Sequence, residues 1–350
     1  MAMLLESWQT QSYFPYTVEL KLRNGEVYGS VSFEIPTPKV KHTKENGVIA
    51  IDTNASPIHL ATAEVSKTGE LLSYQTINLH HLIGLSQNSK DHQEWILAHQ
   101  IVDLAIQKNK AIAIENLKKL KKGKRGDGKA ELRKRLHHWN AKKFLQKLKR
   151  IAILKGVELV EVNPAYTSII GMLKYAPQLS TDKDVAGAYV IGRRALGFKE
   201  DTPENYERLL KDKAYLQFAL KRYEEREKEL RELMEKESNE YKRNAIESEL
   251  RIVEDSKKLL TNLIQSLQSE SSSCEGADGR NLTWQVLKVA LLFPILGKVL
   301  PRDLSPLKPV LVEGVWDRVR SRLVPLEAGG TVPIRDFWSS LRGIVWTSER

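Results

Sequence analysis

The sequence predicts an α/β fold, and three observations predict it. Short apolar runs of strand length recur along the first two hundred or so of its 350 residues. The first of these runs stand at hairpin spacing, while the later ones alternate with longer stretches whose apolar residues fall three and four apart. An apolar fraction of 41% is near the globular norm, enough to fill a core between a sheet and its helices.

Taken in order, residues 16–35 (YTVELKLRNGEVYGSVSFEI) alternate apolar and polar on either side of Asn24-Gly25, the favoured dipeptide of a tight turn. They predict a β-hairpin unit within residues 1–40. After a linker, GVIAIDTNA (47–55) is an apolar strand ending on an acid, followed by IHLATAEV (58–65) and LLSYQTINL (71–79). Residues 90–109 place Trp95, Ile96, His99, Ile101, Val102, Ala105 and Ile106 on a helical stripe. AIAIENL (111–117) is a buried strand, residues 129–155 a long basic helix region, and VELVEV (157–162) another strand. DVAGAYVIGRRALGF (184–198) is a helix of small residues ended by Gly197. Three strands, helix, strand, helix, strand, helix is the order expected of an RNase H-like fold, here over residues 45–200.

Beyond residue 200 the composition shifts. Residues 201–270 are rich in charge with Leu, Tyr, Phe and Ile spaced among them, which predicts a charged helical hairpin. The segment SESSSCEGADGR has linker composition. The tail, 281–350, with Trp284, Pro294, Pro301, Pro306 and Pro309, predicts a small irregular docking element, so that residues 271–350 form a linker and a Pro-containing tail.

Several classes are disfavoured. A single cysteine, Cys274, can form neither an internal disulfide nor a Cys-rich zinc site. Neither a phosphate-cradling GxxxxGK[ST] loop nor a G-x-S-x-G elbow is present. His80, His81, His92, His137 and His138 lack partners at zinc spacing and are expected to be ordinary surface or core residues. The first residues lack a basic segment followed by an apolar run. The most apolar stretch, Val286 to Leu300, is short and interrupted by Lys288 and Lys298. A soluble, cytoplasmic protein without membrane partners is the expectation.

Three acids stand in settings suited to metal chemistry. Asp52 ends an apolar strand, where an unpaired carboxylate would be heavily desolvated and needs a partner or a cation. Glu115 ends the apolar strand AIAIE, and if the two strands are neighbours both acids emerge at one sheet edge. Asp184 opens a helix, where its charge suits the positive end of the dipole. Taken singly, each has a plain reading: a turn, a lysine partner, a helix cap. Together they predict a catalytic set that holds Mg²⁺ or Mn²⁺ for phosphodiester hydrolysis, because hard divalent cations take carboxylate oxygens from several elements.

A basic segment follows directly. Residues 118–155 carry 16 Lys or Arg against two acids, Asp127 and Glu131, so the positive charge of a chain that nets +11 is concentrated there. Clustered cations release counterions from a phosphate backbone, which makes nucleic acid the expected partner. The candidate contacts are Lys118, Lys119, Lys121, Lys122, Lys124 and Arg125 in a loop, and Arg133, Lys134, Arg135, Lys142 and Lys143 in the helix region. Trp139 and Phe144 are expected in the core rather than stacked on bases.

The segments GVIAIDTN, AIAIENLK, VELVEVNPAYTS and DKDVAGAYVIGRR resemble the RuvC-type nuclease motifs of the TnpB family, proteins of insertion sequences. The resemblance implies a RuvC nuclease fold with an N-terminal β-hairpin remnant and an α-helical C-terminal extension. It assigns Asp52, Glu115 and Asp184 to the catalytic triad and implies RNA-guided cleavage of DNA. Guide RNA, DNA and a transposase of the same element would then be partners. The chain departs from that pattern in three respects: it lacks the zinc ribbon's cysteines, so no zinc is expected; Ala186 stands where the family has Asn; and almost nothing precedes the hairpin. Those departures leave two other readings, a shortened nucleic-acid-binding remnant that does not cut, and an RNase H-like nuclease that needs no guide.

Overall fold

The structure, a computed structural model, describes residues 15–34, 37–55, 58–117, 139–179, 181–268 and 277–297. It is an α/β arrangement built on a mixed five-stranded sheet. The basic contacts expected from Lys118 to Arg135 and the tail beyond residue 297 lie outside the described residues.

Strands β1 (Tyr16–Arg23) and β2 (Glu26–Phe33) form the expected antiparallel hairpin. Asn24 and Gly25 both adopt positive φ (52° and 83°), which a tight turn matched to strand twist requires. Tyr16, Val18, Leu20 and Leu22 share a face with Val27 and Val31, and all six are exposed.

The main sheet contains β3 (Val48–Ala55), β4 (Ile58–Val65), β5 (Leu71–Asn78), β6 (Ala111–Glu115) and β7 (Leu159–Val162), in the order β5-β4-β3-β6-β7. The strands β3, β4 and β5 pair antiparallel, whereas β3, β6 and β7 run parallel. Side chains alternate across a strand, and this sheet sorts them by size. Ile49, Ile51, Leu60, Ile112 and Ile114 face one layer, formed by α1 (Gln87–Gln107) and α2 (Ala141–Leu154). Trp139 and Phe144 are fully buried in that layer, ring centroids 5.2 Å apart. Of the helix region expected over 129–155, residues 129–138 lie outside the described residues; the described helix α2 starts at Ala141, where Asn140 caps it by accepting from the Lys143 amide at 3.2 Å.

Ala50, Ala61, Ala63, Ala111 and Ala113 face the other side, where α3 (Lys183–Ala195) lies. Small residues on the sheet are matched by glycine on the helix. A Cβ on Gly192 would stand 2.6 Å from Val65 Cγ2 and 3.0 Å from Ala50 Cβ, so the helix rests on the sheet through its own backbone.

The same core continues into α4 (Glu204–Lys211), α5 (Lys213–Lys236), α6 (Glu240–Gln268) and α7 (Ala277–Leu296). Helices α5 and α6 pack together, with Arg226–Glu249 (2.8 Å), Arg231–Glu254 (3.0 Å) and Lys257–Glu227 (2.6 Å) along the seam. Residues 277–296, which the sequence suggests are linker and irregular tail, are helical despite Pro294 in the helix interior. Proline has no amide hydrogen for the carbonyl four residues back, that of Ala290. The buried Tyr215 hydroxyl donates to that carbonyl at 2.7 Å, and the Tyr223 hydroxyl donates to Val289 O at 2.9 Å. Among the described residues, no helix is long and apolar enough to cross a membrane.

Candidate active site

The β3–β6 ladder positions two of the three acids. Its parallel register runs from Val48↔Ala111 to Ile51↔Ile114, so Asp52 and Glu115 follow as the next step on both strands. Both belong to the small-residue face, beneath α3, at the C-terminal edge of the parallel strands. Asp184 reaches the same place from above. The cap of α3 is Asp182, whose carboxylate accepts from the Asp184 amide at 2.8 Å, which leaves the Asp184 side chain free to turn to the sheet. Gly187, one turn on, admits Asp52: a Cβ there would stand 2.7 Å from Asp52 Oδ2.

The electrostatics reflect this crowding. Burial pushes the Asp52 carboxyl well above its usual range, and the charges of Glu115 and Asp184 push it further, against the pull of Lys183. Burial also raises Glu115, opposed by the Thr167 hydroxyl, which donates to Oε1 at 2.5 Å, and by Arg194. The Arg194 guanidinium is itself lowered by burial, and it donates to the carbonyls of Asn163 and of Ala165, the latter at 3.0 Å. These contacts fold the Asn163–Thr167 loop over Glu115. Tyr166 within the loop is held at φ 62°, a left-handed conformation that costs a residue with a Cβ about 1 kcal/mol or more.

The Asp184 carboxylate is held at both oxygens. Asn54 Nδ2 donates to Oδ1 at 2.7 Å and His59 Nε2 lies 2.9 Å from Oδ2, with Lys183 Nζ 3.6 Å from Oδ1. Sequence reasoning overlooks Asn54, His59, Thr167 and Arg194. For Asn54 a signal exists: two residues beyond Asp52 on a strand, it must share that residue's face. His59 sits opposite Asn54 in the β3–β4 register, a relation that only the hairpin pairing reveals.

The remaining candidates among the described residues stand apart from this centre. Lys143 and Lys147 of α2 bind Asp91 of α1 at 2.7 and 2.8 Å, while Lys142 is exposed. His80, His81 and His92 are exposed.

The three acids supply hard oxygen donors, the type that Mg²⁺ and Mn²⁺ accept, and the like-charge burden on Asp52 is one that a cation would relieve. Yet among the described residues no group of three or more His, Cys, Asp and Glu side chains is set to hold a metal ion. Asp184 and Glu115 are each held by protein donors there.

A protein family described as "Uncharacterized protein conserved in archaea (DUF2192)" matches residues 171–272. The matched stretch contains Asp184 but neither Asp52 nor Glu115. No curated protein matches the chain. The expected resemblance to TnpB is thereby corrected: the family match is to these archaeal proteins and not to a transposase family. The physical reason is the low information of the motifs. An apolar strand ending in an acid, or a helix opening on Asp before small residues, is what close helix-on-sheet packing with acids at the sheet edge demands in any α/β protein.

Proposed function

We propose that the chain is a divalent-metal-dependent phosphodiester hydrolase of RNase H-like fold acting on nucleic acid. The observation that carries this reading is the meeting of Asp52, Glu115 and Asp184 on one face of the sheet edge, close enough that two of them raise the third. Three antiparallel strands continued by two parallel ones, with helices on both faces, agree with the element order expected of that fold. The basic segment that directly follows Glu115 supports a polyanionic substrate.

Asp52, Glu115 and Asp184 would hold Mg²⁺ or Mn²⁺, which when bound lowers the pKa of a water and neutralises charge on the phosphate. The chain's own residues prepare that site. Thr167 and Arg194 hold Glu115, and the glycine face of α3 brings Asp184 over Asp52.

The test uses the purified full chain with plasmid DNA, single-stranded DNA and RNA, with and without Mg²⁺ or Mn²⁺. Metal-dependent cleavage of at least one substrate, lost in Asp52→Asn, Glu115→Gln and Asp184→Asn, is expected. Cleavage by the wild type that all three variants retain would overturn the assignment. A second reading, a nucleic-acid-binding protein that does not cut, has its own observation: both Asp184 oxygens are already engaged by protein groups. Salt-sensitive binding without cleavage under every metal condition would favour it.

A further inference from the structure

The β3–β4 hairpin places Asn54 and His59 directly opposite each other. Both side chains emerge on the α3 face, and each takes a different oxygen of one carboxylate. We infer that this cross-strand pair is a clamp whose task is to fix the plane of the Asp184 carboxylate for a divalent cation, so that Asn54 and His59 are positioning residues. The inference rests on the metal-dependent reading above and deepens it.

Three features carry it. First, the contact joins separate elements, since donors on a sheet hairpin hold an acceptor on the first turn of a helix. Helix capping cannot be its purpose, because Asp182 performs that. Second, the two donors are divided between the oxygens. A carboxylate has about four lone-pair positions. One close donor on each oxygen, with Lys183 Nζ farther off at 3.6 Å from Oδ1, leaves one position on each for a cation, whereas two close donors on one oxygen would let the group pivot. Third, His59 and Asp184 are both buried, at 8% exposure each, so the clamp works where solvent cannot compete with it. Outer contacts of this kind orient metal ligands and set affinity; losing one costs about 10–100-fold.

The test measures Mn²⁺ binding to the full chain by calorimetry and the Mg²⁺ concentration needed for half-maximal cleavage. His59→Phe and Asn54→Ala remove a donor, whereas His59→Gln keeps a side-chain N–H. About 10–100-fold weaker Mn²⁺ binding is expected for the first two, with a matching rise in the Mg²⁺ requirement and recovery in His59→Gln. A merely structural pair would alter thermal stability and leave the metal requirement unchanged. If Mn²⁺ binding depends on Asp52 and Asp184 but is equal in the wild type, His59→Phe and Asn54→Ala, the clamp is overturned while the metal site stands. If the wild type binds no Mn²⁺, or binds it equally after Asp52→Asn, the metal reading fails and takes the clamp with it. Should His59→Phe not fold, Asn54→Ala and His59→Gln carry the same decision.

Discussion

Gly187 lies so near Asp52 that a methyl group on its α-carbon would stand 2.7 Å from the carboxylate Oδ2. The helix is thus glycine at the point where it passes over the acid. Gly187→Ala gains about 1 kcal/mol of helix propensity. The clash falls on the end of a side chain that can swing, so the two effects nearly cancel in stability. What moves is the carboxylate, and on the proposed hydrolase reading cleavage is expected to fall on the order of 100-fold at a melting temperature close to wild type. Gly192→Ala behaves oppositely. Its new methyl meets packed Val65 and Ala50, at 2.6 and 3.0 Å, and destabilises the fold by about 1–3 kcal/mol. Thermal melts beside cleavage rates separate the two, and a Gly187→Ala variant with full activity would contradict the geometry.

Asp52 is a burden to the fold. Its carboxyl is held above the ordinary value by burial first and by Glu115 and Asp184 second, so at neutral pH the folded state resists its charge. Asp52→Asn is therefore expected to raise the melting temperature in chelator. Millimolar Mg²⁺ should raise it in the wild type and leave the variant unmoved. A wild type indifferent to Mg²⁺ together with a variant less stable in chelator would show that the three acids do not share a site.

The contact between α1 and α2 predicts an acid-sensitive seam. Lys147 Nζ lies 2.6 Å from Glu94 Oε2, both side chains buried, and 2.8 Å from Asp91 Oδ1. Hydrogen bonds from Lys143 and then Lys147 hold the Asp91 carboxyl down at about 2, below its ordinary 3.8. A depressed carboxyl contributes stability that is complete above the ordinary value and lost as pH falls through the folded one. Urea midpoints of wild type and Asp91→Asn should thus differ by a constant amount above about pH 4 and converge towards pH 2; a constant difference throughout would refute this. Lys147→Met, which strands the Glu94 charge in the core, is expected to cost about 3–5 kcal/mol, much of it recovered when Glu94→Gln is added.

Tyr215 and Pro294 predict a coupled pair. Tyr215→Phe leaves the Ala290 carbonyl without a donor and costs about 1–3 kcal/mol. With Pro294→Ala in place a helical amide returns to that carbonyl, so the same Tyr215→Phe change should cost markedly less. A double-mutant cycle by urea unfolding reads the coupling, and strict additivity would count against the proline's part in it.

Much of the fold is legible in the sequence because its strands are short, apolar and well punctuated. Asn24-Gly25 marks its turn, and the runs ending at Asp52 and Glu115 are the strands that carry these acids. The sheet order is less legible, since the insertion of β6 beside β3 joins residues some sixty apart. The carboxylates are legible because an acid closing an apolar strand stands out. Their partners are less so: strand alternation puts Asn54 on the Asp52 face, but His59 joins it only through the hairpin register. The last described helix is hidden by its own proline, whose lost hydrogen bond is replaced by a tyrosine far away in the chain.

The core that runs unbroken from the alanine face of the sheet through α3 to α7 bears on ancestry. The stretch shared with the archaeal proteins, residues 171–272, starts after all five strands of the main sheet and stops before α7, so its two ends cut across that core. In this chain that stretch does not close a core by itself: its glycine-lined helix lies flat on a sheet built from residues before it, so a substitution on one side of that contact is tolerated only as the other side allows.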